Sequence, residues 1–469
     1  MVGRIWQCSR FRHPRHSSTA TASMPPLFLA LNGQEQFHAG MLNCVSRRRF
    51  LRQTMGATAA LGSLQFTCPT SAATGANEKV QVGIIGCNGR GMDHIAGFLA
   101  VPQAEIAYVC DVDSRAVEKG LAQVAKKQER KAQGARDLRR MLEDPHLDAV
   151  SVATPDHWHA PAAILACAAG KHVYVEKPGS HNLHESQLLV AAARKYRRVV
   201  QMGNQRRSWP WVNEAIEAVR GGELGAVYFA RGWYTNHRPS IGHGKPASVP
   251  NWLDWSLWQG PAPERPFQDN LLHYNWHWFW NWGTGELGNN GVHALDLARW
   301  GLGVDYPKRV TCGGNRYHFQ DDWQTPDTCT AMFDFGTKGI AWEGQSCDPH
   351  GFEGASFGVN FYGEKGFLTI AGTNAKILDL NDKVVREIKG KHDDVLHFVN
   401  FIDAIREGKA LRAEIEEGQK STVLCHLGNI AWRTGHTVNF DPANGRIVDD
   451  ATAAELARRE YRPGWEPKA

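Results

Sequence analysis

The stretch that most restricts the fold is KVQVGIIG, residues 79–86, which runs directly into CNGRGMDHIAGFL, residues 87–99. A β-rich apolar run that stops in glycine and resumes as a helix predicts a strand, a tight turn and a helix. Gly86, Asn88 and Gly91 fall on the three positions of a G-x-G-x-x-G dinucleotide turn, with Gly89 and Arg90 between the last two. Asn88 stands where the middle glycine belongs, and as the non-glycine residue that most readily takes positive φ it is expected to fill that role. About 20 residues further on, IAYVCDVD ends a second strand in Asp111. A carboxylate there accepts from the adenosine ribose hydroxyls and repels a 2′-phosphate, so NAD is expected over NADP, with Arg115 near enough to soften the preference.

The alternation continues through DAVSVATP (148–155), HVYVEKP (172–178) and VVQMGNQ (199–205), with the helical APAAILACAAG between the first two. Near-continuous apolar strands between helices predict a parallel sheet covered on both faces, and ligands in such sheets bind beyond the carboxyl ends of the strands. Thr154, Pro155, Asp156, His157, Glu176 and Lys177 all stand at those ends. Later, AVYFARGWY, CTAMFDFG, IAWEGQS and GVNFYGEKGFLTIAG are strand-like with glycine turns, which predicts a mostly antiparallel second sheet; two amphipathic helices follow. The expected organisation is a leader over 1–77, a doubly wound dinucleotide-binding domain over 78–205, and an α+β substrate and oligomerisation domain over 206–469.

VGIIGCNGRG, CDVDSR, ATPDHWHAP, YVEKPGS, GNQRRS and GNNGVHALDLARW, in this order, resemble the Gfo/Idh/MocA oxidoreductase family, that of glucose-fructose oxidoreductase and inositol dehydrogenase. The resemblance implies that Lys177 points at the nicotinamide and the substrate hydroxyl, that Glu176 orients the ribose or the lysine, and that His293 is the partner in proton transfer. It also extends the cofactor contacts over Gly86, Asn88, Gly89, Arg90, Gly91, Asp111, Arg115, Thr154, Pro155, His157, Glu176 and Lys177. Arg206, Trp278, Asn289 and His293 are the expected substrate contacts. Four residues before this histidine the family often carries an acid, and here Asn289 takes its place. An amide cannot take a proton, so Asn289 is expected to hydrogen-bond a substrate hydroxyl instead. A lysine beside a cationic ring has its pKa lowered by desolvation and like charge, which suits proton transfer or stabilisation of an alkoxide.

Seven of the seventeen tryptophans lie between Trp252 and Trp282. Trp276, Trp278, Trp280 and Trp282 alternate with period two, which would align them on one face of an extended segment, against a sugar ring, a subunit interface or the core. No metal is expected: His273, His277 and His293 lack supporting carboxylate spacing. His397 and His426, on the late helices, are expected to be satisfied, half-buried histidines.

SRRRFLRQTMGATAALGSL, Ser46 to Leu64, joins paired arginines to a mildly apolar run and a small-residue stretch, the pattern of a twin-arginine export signal. Met24 or Met41 is then an alternative start, and a periplasmic location is expected. Beyond that region seven cysteines remain with no close pairs, and they read as buried thiols. Export in the folded state fits a protein that takes up its cofactor before crossing, so the dinucleotide is expected to be tightly bound. No later apolar run reaches the ~18 residues of a membrane span, and a net charge of +5 over 469 residues gives no ground for a nucleic-acid partner. A homo-oligomer, dimer or tetramer, is expected.

The expected activity is hydride transfer between a bound nicotinamide and a hydroxyl or carbonyl of a sugar, polyol or glycoside. Two alternatives stay open: a glycosidase or lyase that oxidises the sugar transiently and eliminates the aglycone, and a silent sugar-binding relative.

Overall fold

The computed structural model describes residues 79–469; the twin-arginine segment and the expected leader over 1–77 lie outside the described residues, apart from which the chain is continuous. Strands Val80–Ile85 (β1), Ala104–Cys110 (β2), Gln133–Ala135 (β3), Ala149–Val152 (β4), His172–Val175 (β5) and Val200–Met202 (β6) form one sheet in the order β3-β2-β1-β4-β5-β6. Every neighbouring pair is parallel. The strand order reverses between β1 and β4, which is where a doubly wound sheet opens its ligand crevice.

Both faces are covered, which is why the strands lack polar alternation. Val80, Val82 and Ile84 face Ile95 and Phe98 of the helix Arg90–Leu99 (α1), whereas Ile85, Val150 and Val152 pack toward Ile164 of the helix Asp156–Ala168 (α2). The first of these faces is closed from far along the chain. Phe398 and Phe401, on the helix Val395–Glu407, complete its core, and the Phe398 ring stacks on Tyr174 of β5 at 5.0 Å. Nearby, Met202 N donates to Ala413 O at 2.9 Å, and His397 Nε2 lies 2.9 Å from Met202 O.

The remaining strands are Val227–Thr235 (β7), Arg309–Asn315 (β8), Thr328–Asp334 (β9), Gly339–Gln345 (β10), Phe357–Gly363 (β11), Gly366–Ala371 (β12), Asn374–Asp379 (β13), Val384–Lys389 (β14), Val438–Asp441 (β15) and Arg446–Val448 (β16). They form a ten-stranded sheet, β14-β13-β12-β11-β7-β10-β9-β8-β15-β16. Its pairs are antiparallel except β7 with β10, so the large, mostly antiparallel second sheet expected from the sequence is present. Trp342 and Phe361 are fully buried on one face of it, where the helices Val292–Leu302 (α3) and Ile415–Thr434 (α4) contribute Leu295, Leu297, Leu424 and Leu427 to the same core, and Trp233 is buried on the opposite face.

The tryptophan run departs from its expected form. Asn275–Trp278 is a 3₁₀ turn, and Phe279 N, Trp282 N and Gly283 N all bond back to carbonyls three or four residues earlier. Such turns rotate the chain, so period two no longer maps onto one face. Trp276 and Trp282 join Trp255 and Trp258 in a separate aromatic cluster, Trp278 stacks on Trp323 at 3.8 Å, and Trp280 lies against Trp432. Among the described residues no helix is long and apolar enough to cross a membrane, and all seven cysteines are unpaired.

Candidate functional site

The carboxyl ends of β1, β2, β4 and β5 open on a cavity of about 320 Å³ bounded by Gly86, Gly89, Asp111, Thr154, Lys177 and Asn289. A larger cavity, about 930 Å³, lies between residues 279–284 and 426–433 and touches none of these strand ends. Because parallel sheets bind ligands beyond their strand ends, the smaller cavity is the candidate site.

Its first wall is the glycine turn. Gly86 has φ 82°, and a Cβ there would lie 2.7 Å from Ala153 O; a Cβ on Gly91 would lie 1.8 Å from Gly86 O. The left-handed conformation expected of Asn88 falls instead on Gly86 and on Gly89, at φ 42°, where no Cβ opposes it. A Cβ on Gly89 would meet nothing within 4 Å, so the backbone is open at this point, and α1 begins at Arg90 without a side-chain cap. Asp111 Oδ2 accepts from Cys87 N at 2.6 Å and Oδ1 from Asp113 N at 2.9 Å, which ties the turn to the end of β2. Burial raises its carboxyl pKa against those two N–H bonds. Thr154 Oγ1 is buried with no partner. An open glycine turn, an uncapped helix start and an orphaned hydroxyl on one wall fit the pyrophosphate and ribose of a dinucleotide.

The second wall is the Glu-Lys-Pro end of β5. Glu176 is 3% exposed. Its Oε1 accepts from Arg90 Nε (3.1 Å), His94 Nε2 (3.0 Å) and Gln205 Nε2 (2.7 Å), and its Oε2 from Lys177 N (3.1 Å). Burial alone would raise this carboxyl, but Arg90, His94 and Lys177 outweigh it and hold the pKa well below the carboxylate range. Glu176 is therefore an ionised anchor that joins α1, β5 and the turn after β6, its oxygens already engaged by the protein.

Lys177 Nζ donates to Asn289 O at 2.9 Å and to Asn289 Oδ1 at 3.1 Å, leaving one N–H. Burial lowers its ammonium pKa, opposed by the carboxylates of Glu176 and Asp156. Asn289 lies on the π-turn Leu287–Gly291 that leads into α3. Its Nδ2 is 3.3 Å from Tyr274 Oη, which also accepts from Arg238 at 2.9 Å, and Arg238 in turn pairs with Glu286 at 2.6 Å. One turn beyond Asn289, the His293 imidazole has no hydrogen-bond partner among the described residues, and burial, then the charges of Lys177 and Arg206, push its pKa well below 6.5. His293 is not among the residues that line the cavity, but the charge of Lys177 acts on it, so a neutral imidazole and a destabilised ammonium lie within electrostatic reach of each other, the two groups that moving a hydroxyl proton needs.

Not every expected residue reaches the cavity. His157 follows Asp156 around α2 into the aromatic cluster: it is fully buried, its Nε2 lies 2.9 Å from Trp258 O, its N donates to Trp282 O, and burial takes its pKa to about 3. His159, two positions on, lies between Pro178 O (2.6 Å) and Thr154 O (2.8 Å) and joins two strand ends instead. Arg115 is held bidentate by Asp113 at 3.0 and 2.8 Å, with its guanidinium 3.4 Å above Trp252, outside the cavity lining. Trp278 is 1% exposed and lies behind the wall that carries Tyr274, too deep to meet a ligand. Arg206, buried at its Nε and stacked on Phe357, also lies outside the cavity lining, next to Arg207, which bonds Asp296 one turn beyond His293. Among the described residues no cluster of three His, Cys, Asp or Glu could hold a metal. No role was legible in the sequence for His94, Gln205, Tyr274 or Arg238, whose partners are all distant in the chain.

Two domain families of the Gfo/Idh/MocA group match the chain: "Oxidoreductase family, NAD-binding Rossmann fold" over residues 80–204, and "Oxidoreductase family, C-terminal alpha/beta domain" over residues 233–467. A glycosyl hydrolase family 109 protein of Saccharopolyspora erythraea is 34% identical over 212 residues, 41% of this chain and 46% of that protein. Levoglucosan dehydrogenase of Pseudarthrobacter phenanthrenivorans is 27% identical over 235 residues, 48% of this chain and 52% of the enzyme. The chain thus spans about half the length of the curated relatives it matches. In fold it is similar to the WlbA dehydrogenase of Bordetella pertussis, solved in complex with NADH and UDP-GlcNAcA, with a TM-score of 0.61 at 20% identity over 78% of this chain and 99% of that one.

Proposed function

The chain belongs to the Gfo/Idh/MocA oxidoreductase family, and from that membership we propose that it transfers hydride between a bound nicotinamide dinucleotide and a carbinol or carbonyl carbon of a sugar or polyol. The observation that carries this reading is Lys177 Nζ, fixed at 2.9 and 3.1 Å on Asn289 at the mouth of the dinucleotide crevice. The dinucleotide, when bound, supplies the hydride acceptor and donor. Gly86, Gly89, Thr154 and Asp111 hold it, and the engagement of Arg115 by Asp113 favours NAD over NADP.

In the oxidative direction a carbinol carbon that gives up hydride must also lose its hydroxyl proton. Neutral His293 takes that proton, and the remaining N–H of Lys177 stabilises the charge that builds on the oxygen. Asn289 fixes the lysine rotamer, and Glu176 fixes the strand end that presents it. We further propose tight retention of the dinucleotide, export by the twin-arginine route and assembly as a homo-oligomer, the first two because the cofactor is best loaded before export.

The test is addition of sugars and polyols to purified holoprotein, followed by the reduced-nicotinamide absorbance. Lys177→Met should lose turnover by about 10²- to 10³-fold, the range for removing one donor to a developing oxyanion, while keeping its dinucleotide; full turnover in that variant would overturn the reading. The likeness to a glycosyl hydrolase family 109 protein favours one second reading, net glycoside cleavage through transient oxidation. It predicts aglycone release with no lasting change in that absorbance.

A further inference from the structure

Arg206 and Arg207 are adjacent and have opposite surroundings. Arg207 is bidentate to Asp296, at 2.8 Å through Nε and 2.8 Å through Nη2. Arg206 forms no ion pair and donates no hydrogen bond among the described residues, and its Nε is buried without a partner. Its guanidinium lies 3.9 Å from the ring centre of Phe357 and 5.0 Å from that of Trp209. The acid whose charge acts on it, Asp394, is bonded to Arg90 at 3.1 Å. Burial brings the pKa of Arg206 down to about 10. A desolvated cation whose one acidic neighbour is bonded elsewhere is costly to keep, and the ion pair of the adjacent Arg207 with Asp296, one turn beyond His293 on α3, sets Arg206 on the side of the proposed proton acceptor.

We propose that Arg206 holds an acidic substituent of the substrate, the carboxylate of a sugar acid such as a hexuronate, and so sets the substrate class. This rests on the sugar or polyol reading above. The planar guanidinium matches a carboxylate through two parallel N–H bonds, and the Phe357 and Trp209 rings shield that pair from water. One unpaired guanidinium balances a monoanion. A phosphate ester carries about −1.5 to −2 at pH 7 and would need a second cation, yet Arg90, Arg207 and Arg238 are committed to Glu176, Asp296 and Glu286, and Lys177 to Asn289.

The experiment compares glucuronate and galacturonate with glucose, galactose and glucose 6-phosphate on the purified holoprotein. Binding is read by tryptophan fluorescence and turnover by nicotinamide absorbance. The uronates should exceed their parent hexoses about 100-fold in affinity or in kcat/KM, as expected for one charge-assisted pair, and the phosphate ester should show no such gain. In Arg206→Gln the uronate-to-hexose ratio should fall toward one, and Arg206→Lys should restore part of it. A wild-type ratio near one, a ratio unaltered by Arg206→Gln, or a preference for the phosphate ester would each overturn the proposal. Arg206-dependent uronate binding without any nicotinamide reduction would uphold it and remove only the redox reading. Reduction by neutral hexoses with no uronate preference would do the reverse.

Discussion

Asn289 gives Lys177 two acceptors that carry no charge, which leaves burial as the larger influence on the ammonium. Asn289→Asp would put an anion against Nζ and favour the charged lysine. Because the ammonium is the form that donates to the developing charge, the fall of kcat/KM at high pH should move upward by about one unit or more, and an unmoved profile would mean that this contact does not tune the site. Glu176 makes a different prediction. Its native pKa is depressed, so its contribution to stability is complete above the unfolded carboxylate value, about 4.3, and is lost as pH falls through its lower folded value. Glu176→Gln should cost about 1.5–3 kcal/mol in denaturant unfolding at neutral pH, because Arg90 loses this anion while keeping Asp394. The Glu-Lys-Pro end was legible because it sits within a few residues of its strand. Tyr274 and His94 were not, because what gives each its meaning, Arg238 and Asn289 for one and Glu176 for the other, comes from another element.

At the level of elements, the strand–turn–helix unit separates two kinds of glycine. Gly91→Ala would bring Cβ within 1.8 Å of Gly86 O, a backbone atom that cannot swing aside, so both Tm and dinucleotide retention should fall. Gly89→Ala has free space and should fold, losing about 1–3 kcal/mol to its positive φ, with a greater loss of dinucleotide affinity because its methyl enters the crevice. Calorimetry and measurement of bound nucleotide on both variants check the contrast; equal Tm losses would count against it. The parallel strands were readable because burial on two faces makes them continuously apolar. Strands β8 and β14 were not, since each buries one side chain, Val310 and Ile388, and presents no alternation. The tryptophan run misled for the opposite reason, a period of two imposed on a chain that turns at Asn275–Trp278.

Across the molecule, buried histidines set the response to acid. His157, His397 and His426 are at most 4% exposed, and burial lowers their pKa values to about 3, about 4 and about 3. The unfolded chain takes up these protons near pH 6.5 and the folded chain only near pH 3–4, so stability is constant above about 6.5 and declines as pH falls below it. Each histidine contributes up to about 1.4 kcal/mol per pH unit over that range. Tm should therefore hold down to about pH 6.5 and drop steadily from there to about pH 5, and a flat profile would contradict it. The closure of the first sheet by Phe398 and Phe401 has a consequence of another kind. A fragment ending after β6 would carry every strand of the nucleotide half and still expose Phe98 and Tyr174 to water. Recombination cannot therefore hand that half on as a free-standing cassette, and a ribosome must finish most of the polypeptide before its opening third can settle.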